Sequence, residues 1–292
     1  MSQVPMRIVV TGSGGQLGSE LCRQLGSDAV ALDLPDFDLT DRDWVVRTLA
    51  EIAPQAVINT AGFTQVDKAE QQVELCRAVN VRGAAHLAEV CRRLDCPLVE
   101  ISTDYVFGGE ADRRVPYRET DEPRPLGVYG RSKLEGERHA AQLHKHCIVR
   151  TCGLYGRPGP RSGGNFVETM LRRGAEGKRL RVVRDQHCTP SYVPHVARAV
   201  RFLVGTDAFG TYHVVNTGET TWHDFAVELF RQAGLDVRLE PITTSEYGAA
   251  APRPGYSVLD TRKYHALCGA PPMPRWEEGL AEYLAVRSSW GA

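Results

Sequence analysis

The sequence has almost no net charge: 35 Lys and Arg stand against 36 Asp and Glu in 292 residues, a balance of -1. No basic surface therefore advertises nucleic acid or anionic lipid. Long apolar runs are also missing. Nothing approaches the ~20 apolar residues of a membrane span, and the apolar segment 8–10 is too short for the core of a secretion signal. No CxxC occurs among the eight cysteines, at 22, 76, 91, 96, 147, 152, 188 and 268. Most sit inside apolar helix or strand patterns, which reads as reduced, packed thiols of a cytoplasmic protein. The histidines lack HExxH or comparable spacing, so no metal is expected. There is no tandem repeat. What remains, 42% hydrophobic and 24% charged, is ordinary globular composition.

The first half alternates short β-branched runs with longer helical patterns. Strands are expected at 7–11, 29–33, 56–60, 98–103 and 147–151. Helices are expected at 16–25, 41–53, 66–94 with a break near Gly83, and 129–143. Such alternation calls for a parallel sheet with helices on both faces. Past residue 152 the pattern loosens. The stretch 153–164 holds five glycines and two prolines and reads as a loop. Further elements are expected at 165–173, 180–183, 193–204, 212–216, 221–233 and 276–286. The organisation read from this is an α/β doubly wound parallel sheet followed by a smaller C-terminal lobe. Residues 1–152, together with about 178–215, would form the sheet domain; 153–177 and 216–292 would form the lobe.

The first strand runs into Thr11-Gly12-Ser13-Gly14-Gly15-Gln16-Leu17-Gly18 and then a helix. Glycines 12, 15 and 18 form GxxGxxG. One permits the tight turn, one lets the backbone approach a pyrophosphate, and one lets the helix pack close to the strand. Gly14, Gln16 and Leu17 complete this loop, whose free N–H groups and helix dipole suit a phosphate. The domain is therefore read as a Rossmann dinucleotide fold. Asp33 ends the second strand, where an acid takes the adenosine ribose hydroxyls. A carboxylate there repels a 2′-phosphate and leans toward NAD(H), and no arginine follows directly to receive one.

Tyr129-Gly130-Arg131-Ser132-Lys133 places a phenol and an ammonium at i and i+4, on one helix face. Tyrosine has a resting pKa near ~10. A neighbouring ammonium lowers it and lets the phenol trade protons with an alkoxide. Thr103, in Ser102-Thr103-Asp104-Tyr105-Val106-Phe107, ends a buried strand, where open parallel sheets place ligands. Its hydroxyl would orient a carbonyl. Thr103, Tyr129 and Lys133 are the expected catalytic set. Asn80 sits in an otherwise apolar helix, either to hold a relay water or as a satisfied helix polar residue.

With these motifs on the page, the chain resembles the dTDP-4-dehydrorhamnose reductase family of extended short-chain dehydrogenase/reductases. The matching strings are AGFTQVDKAE at 61–70, STDYVF at 102–107, YGRSK at 129–133, Asn165-Phe166, Asp185-Gln186, Pro190-Ser191, RPGYSVLDT at 253–261, and Trp276. They run in order over nearly the whole chain. The resemblance implies reduction of the C4 ketone of a dTDP-4-dehydro-6-deoxysugar to dTDP-L-rhamnose. The cofactor would be NADPH, with NADH as the alternative, and the assembly a homodimer. By the same resemblance Asp38, Leu39, Ala61 and Gly62 would touch the cofactor. Thr64, Val66, Asp104, Tyr105, Phe107, Gly153 and Asn165 would line the sugar pocket. Gly153 stands where the family usually has tryptophan, which predicts a wider pocket or a different deoxysugar.

A sugar-nucleotide dehydratase would need an acid where Tyr105 stands. A related reductase or epimerase acting on another deoxysugar is a second reading. The third is a non-catalytic NAD(P)-binding subunit like the beta subunit of methionine adenosyltransferase.

Overall fold

The structure, a computed structural model, describes residues 6–177 and 179–291. Its first half follows the expected alternation. The elements are β1 (Ile8–Thr11), α1 (Gln16–Leu25), β2 (Ala29–Leu32), α2 (Arg42–Ile52) and β3 (Ala56–Asn59), then α3 (Val66–Ala69), α4 (Val73–Arg77), α5 (Ala84–Leu94), β4 (Leu98–Thr103), α6 (Val128–Ala140) and β5 (His146–Thr151). Local chemistry sets several boundaries. Asp41 caps α2 by accepting a hydrogen bond from the Trp44 N–H, and Ala53 ends it in the left-handed region at φ 48°.

The region expected as a helical stretch broken near Gly83, 66–94, is three helices. A wide π-type turn, Ala78–Gly83, joins α4 to α5. Such turns tend to mark functional sites. Here Gly136 of α6 lies so close to the Asn80 carbonyl that a Cβ at 136 would stand 2.4 Å from its oxygen. The widened turn and that glycine let α6 approach closely.

The six-stranded parallel sheet has the order β2-β1-β3-β4-β5 followed by the strand Gly210–His213. Alternation along each strand assigns side chains to opposite faces. Ile8, Val10 and Ile58 pack beneath the helix Val193–Val204 and α1. Val9 and Val57 pack against Val45, Leu49 and Leu87 on the other face. Strands buried on both faces need continuous apolar runs, as these have. The order reverses between β1 and β3, so a crevice opens beyond their carboxyl ends, where open α/β sheets bind ligands.

The chain joins the main sheet again later than expected. Leu180–Val183 pairs with Leu239–Ile242 in a separate two-stranded sheet, whereas the edge strand of the main sheet is Gly210–His213. The segment around 180 therefore packs with the C-terminal core, which contains Tyr155, Val167, Phe225, Leu229, Trp276 and Tyr283. No helix of the described residues is long and apolar enough to cross a membrane.

Candidate active site

At the end of β1 the chain turns at Gly12, with φ +68°. A Cβ there would lie 2.5 Å from the Ala61 N, so the β3 loop closes directly over Gly12. At Gly18 a Cβ would lie 2.3 Å from the Gly12 carbonyl oxygen, which fixes how closely α1 meets β1. Gly15 is the residue that starts α1. The first turn of an α-helix has backbone N–H groups without helical partners, here those of Gln16, Leu17 and Gly18. Thr11 Oγ1 donates to Asn59 Oδ1 at 2.7 Å and ties β1 to β3 beneath the loop. These features fit a dinucleotide: a backbone cradle that side chains would fill, next to a helix N-terminus.

Asp33 stands where expected but is engaged locally. Its Oδ2 accepts the Gly14 N–H at 2.7 Å and its Oδ1 accepts the Leu34 N–H at 2.8 Å. The carboxylate thus braces the glycine loop. Asp38 also braces backbone: Oδ1 accepts from Thr40 N and Thr40 Oγ1, both at 2.8 Å. Leu39 is a core residue against Gly83, and its carbonyl meets His86 Nδ1 at 2.9 Å. The Leu39 side chain is thus engaged in packing.

The catalytic set converges from two elements. The α6 face carries Tyr129, Lys133 and Glu137 at intervals of four. Gly130 lets that face meet the turn Asp104–Val106, since a Cβ at 130 would lie 2.2 Å from the Tyr105 carbonyl oxygen. Glu70 supports the start of α6 by accepting the Val128 N–H at 2.7 Å. Lys133 Nζ donates to Glu100 Oε1 at 2.7 Å, and both side chains are buried. Asn59 Nδ2 donates to the other Glu100 oxygen at 2.6 Å. Burial works against the Lys133 ammonium, but the Glu100 and Tyr129 charges raise its pKa overall. Burial raises the Tyr129 phenol, while the Lys133 charge and a hydrogen bond with Thr103 pull it down; the net direction is upward. Thr103, Tyr129 and Lys133 therefore share one site, and the phenol holds its proton at neutral pH. Such a group can deliver a proton to an oxygen that is gaining negative charge.

Asn80 resolves toward the satisfied reading. Its Oδ1 accepts the Phe63 N–H at 2.8 Å, and its Nδ2 donates to Ser132 Oγ at 2.9 Å and to the Phe63 carbonyl at 3.2 Å. It fastens the 61–64 loop, with Ala61 and Gly62, to α6.

The expected sugar-pocket residues divide. Thr64 is exposed, and Val66 and Tyr105 are half-buried, with the Tyr105 and Tyr129 rings edge to face at 5.9 Å. Phe107 is corrected: it is fully buried, stacked on Tyr117 at 4.1 Å with the Arg150 guanidinium over its ring. Asn165 is half-buried and engaged locally. Its Oδ1 caps the helix Phe166–Ala175, and its Nδ2 donates to Gln16 Oε1 and the Gly156 carbonyl, both at 3.1 Å. Its polar atoms are used in joining the lobe to α1. Asp104 is buried, with Oδ2 accepting from Ser257 Oγ at 2.6 Å. Burial drives its carboxyl up to about 6, against hydrogen bonds from Ser257, Cys152 and Thr103. Gly153 has φ +51°, and a Cβ there would lie 3.0 Å from Cη2 of Trp222. An indole from another segment thus stands in the space beside Gly153.

Glu100, Trp222, Ser257 and Arg253 escaped the sequence reading. Glu100 had one signal, a carboxylate inside an apolar strand. Arg253 forms a two-pronged pair with Asp67, at 2.8 and 3.0 Å, linking the C-terminal half to α3.

A glycine-loop crevice at the switch point, bordered by a strand-end threonine and a helical Tyr–Lys pair, defines a short-chain dehydrogenase/reductase of the extended type. Relatives of known description agree. The chain is 41% identical to the spore coat polysaccharide biosynthesis protein SpsK of Bacillus subtilis, covering 97% of this chain and 98% of that protein. It is 40% identical to dTDP-4-dehydrorhamnose reductase of Streptomyces griseus, over 97% of this chain and 94% of the other. The crystal structure of dTDP-4-dehydrorhamnose reductase from Bacillus anthracis in complex with NADP superposes with a TM-score of 0.91 at 39% identity, covering 97% and 99% of the two chains. The RmlD substrate binding domain model matches residues 6–288, and the chain belongs to that family.

Proposed function

We propose that this protein reduces the C4 ketone of dTDP-4-dehydrorhamnose to dTDP-L-rhamnose with NADPH, NADH serving as the alternative donor. The observation that carries the reading is the single α6 face that sets Tyr129 and Lys133 against Thr103 at the end of β4. The family and the NADP-bound relative agree with it.

The residues divide the work as follows. The Gly12–Gly18 loop and the first turn of α1 hold the pyrophosphate. Bound there, the nicotinamide supplies hydride. Thr103 Oγ1 orients the ketone oxygen, and the Tyr129 hydroxyl gives that oxygen its proton. Lys133 limits the cost of phenolate once the proton has left, and Glu100 keeps Lys133 charged and aimed. Tyr105, Thr64, Val66 and Trp222 border the sugar side. Residues 1–152, with the helix Val193–Val204 and the returning edge strand, act as the cofactor half, and the remaining C-terminal lobe as the sugar half. We place the enzyme in the cytoplasm as a homodimer.

The test is NADPH oxidation with dTDP-4-dehydrorhamnose and with other dTDP-4-keto sugars. Turnover with the first supports the reading. Tight cofactor binding with no turnover of any keto sugar would instead favour a regulatory subunit.

A further inference from the structure

Asp33 sets a problem for a chain that takes NADPH, because a carboxylate beside the adenosine ribose repels a 2′-phosphate. The segment following β2 offers no cation to offset it: Leu34, Pro35, Asp36, Phe37 and Asp38 come next. The structure brings one from far along the chain. The loop between Gly156 and Asn165 lies on the glycine loop. A Cβ at Gly159 would stand 2.4 Å from the Gly15 carbonyl oxygen, and the Arg161 N–H donates to the Gly14 carbonyl at 2.9 Å. The Arg161 side chain then runs over Gly14, where a Cβ would lie 2.9 Å from its Cδ. Its Nε reaches 3.9 Å from Asp33 Oδ1, and Nη1 donates to the Leu34 carbonyl at 3.3 Å.

We infer that Arg161 is the receptor for the 2′-phosphate of NADPH, supplied in trans by the sugar-side half of the chain. A guanidinium has five N–H donors and grips phosphate with two at once. Here the Leu34 carbonyl takes one, and the side chain is 48% exposed. Asp33 keeps lone pairs beyond those meeting Gly14 and Leu34, so it can accept a ribose hydroxyl when NADH binds. One acid and one base at the same ribose position thus account for acceptance of either dinucleotide. Arg161 also cancels part of the Asp33 field that a 2′-phosphate would otherwise meet.

This inference rests on the dinucleotide reading above and is tested by binding rather than turnover. Fluorescence titrations of NADPH and NADH, with 2′,5′-ADP and 5′-AMP as competitors, are run on wild type, Arg161→Ala and Arg161→Lys. Arg161→Ala should weaken NADPH and 2′,5′-ADP by about tenfold or more, the scale of a charge-assisted contact to phosphate. NADH and 5′-AMP should change by less than about twofold. Arg161→Lys should fall between wild type and Ala for NADPH. Undiminished NADPH affinity in Arg161→Ala overturns the inference, as does an equal loss for both dinucleotides, which would make the loop a general cover. A wild type that binds neither dinucleotide overturns the cofactor reading and this inference together.

Discussion

The helix α6 carries two buried ion pairs one turn apart, and they differ in their neighbours. Lys133 meets Glu100 of β4, and Glu137 meets Arg150 of β5 with both oxygens, at 2.9 and 2.7 Å. The first pair adjoins Tyr129 and the crevice. The second is sealed: Ser102 donates to Glu137, and Phe107 lies beneath the Arg150 guanidinium. Burial and then the Arg150 charge press the His213 imidazole down to about 3. The same helix spacing therefore yields one pair beside the Tyr129 phenol and one that ties helix to sheet. Chemistry needs the ion pair to border a ligand space; locking needs it to be closed off.

The comparison can be broken on each side. The largest effect is expected at the sealed pair. Arg150→Met leaves Glu137 charged and unpaired and should cost about 3–5 kcal/mol of stability. Denaturant unfolding checks this, and turnover per folded molecule should stay near wild type. A large loss of turnover with normal stability would erase the contrast. At the pair beside Tyr129, Tyr129→Phe should lower kcat at least ~10²-fold and leave cofactor affinity and the unfolding midpoint unchanged. Steady-state kinetics beside a cofactor titration separates the two.

The two regions should also respond oppositely to pH. Asp104 has a raised folded pKa, so its contribution is full below its ordinary 3.8 and is lost as pH rises through about 6. That loss is at most about 3 kcal/mol. His213 has a depressed folded pKa, so its contribution is present above its ordinary 6.5 and is lost as pH falls toward about 3. Asp104→Asn should flatten the stability profile between pH 4 and pH 6 on the alkaline-weakening side, and His213→Gln on the acid-weakening side. Identical profiles for both variants would contradict the assignment.

The smallest expected effect lies at the Gly153–Trp222 contact. Gly153→Ala should cost about 1–2 kcal/mol for a left-handed residue, plus the contact with Trp222. Thermal unfolding of the single variant and of its combination with Trp222→Leu checks this, because the second change should recover only the contact part.

The strands and helices of the first half were legible because their apolar periods are strong and their boundaries chemical, as at Asp41. The Tyr129–Lys133 pair was legible because four residues on a helix is a local relation. Glu100 and Arg161 were not, since what they do depends on partners 33 and 128 positions away, Lys133 and Asp33. Phe107 was misplaced for the same reason. A string shared with relatives says where the backbone runs, whereas the stack on Tyr117 and Arg150 decides that the ring faces inward. Asp33 follows the second strand as read, but its bond to the Gly14 N–H was invisible until the loop had a shape.

The edge strand Gly210–His213 hydrogen-bonds to β5 after the chain has already built part of the other core. Tyr212 and the helix Val193–Val204 also finish one face of the nucleotide-binding sheet. During synthesis, α1 covers part of that face early, and the rest stays open until residue 213 has left the ribosome. Some apolar side chains of β1 and β3 then wait for a segment made much later, so chaperone holding should matter most in that interval. A gene fragment stopped ahead of this strand should yield aggregate and not a free-standing cofactor module.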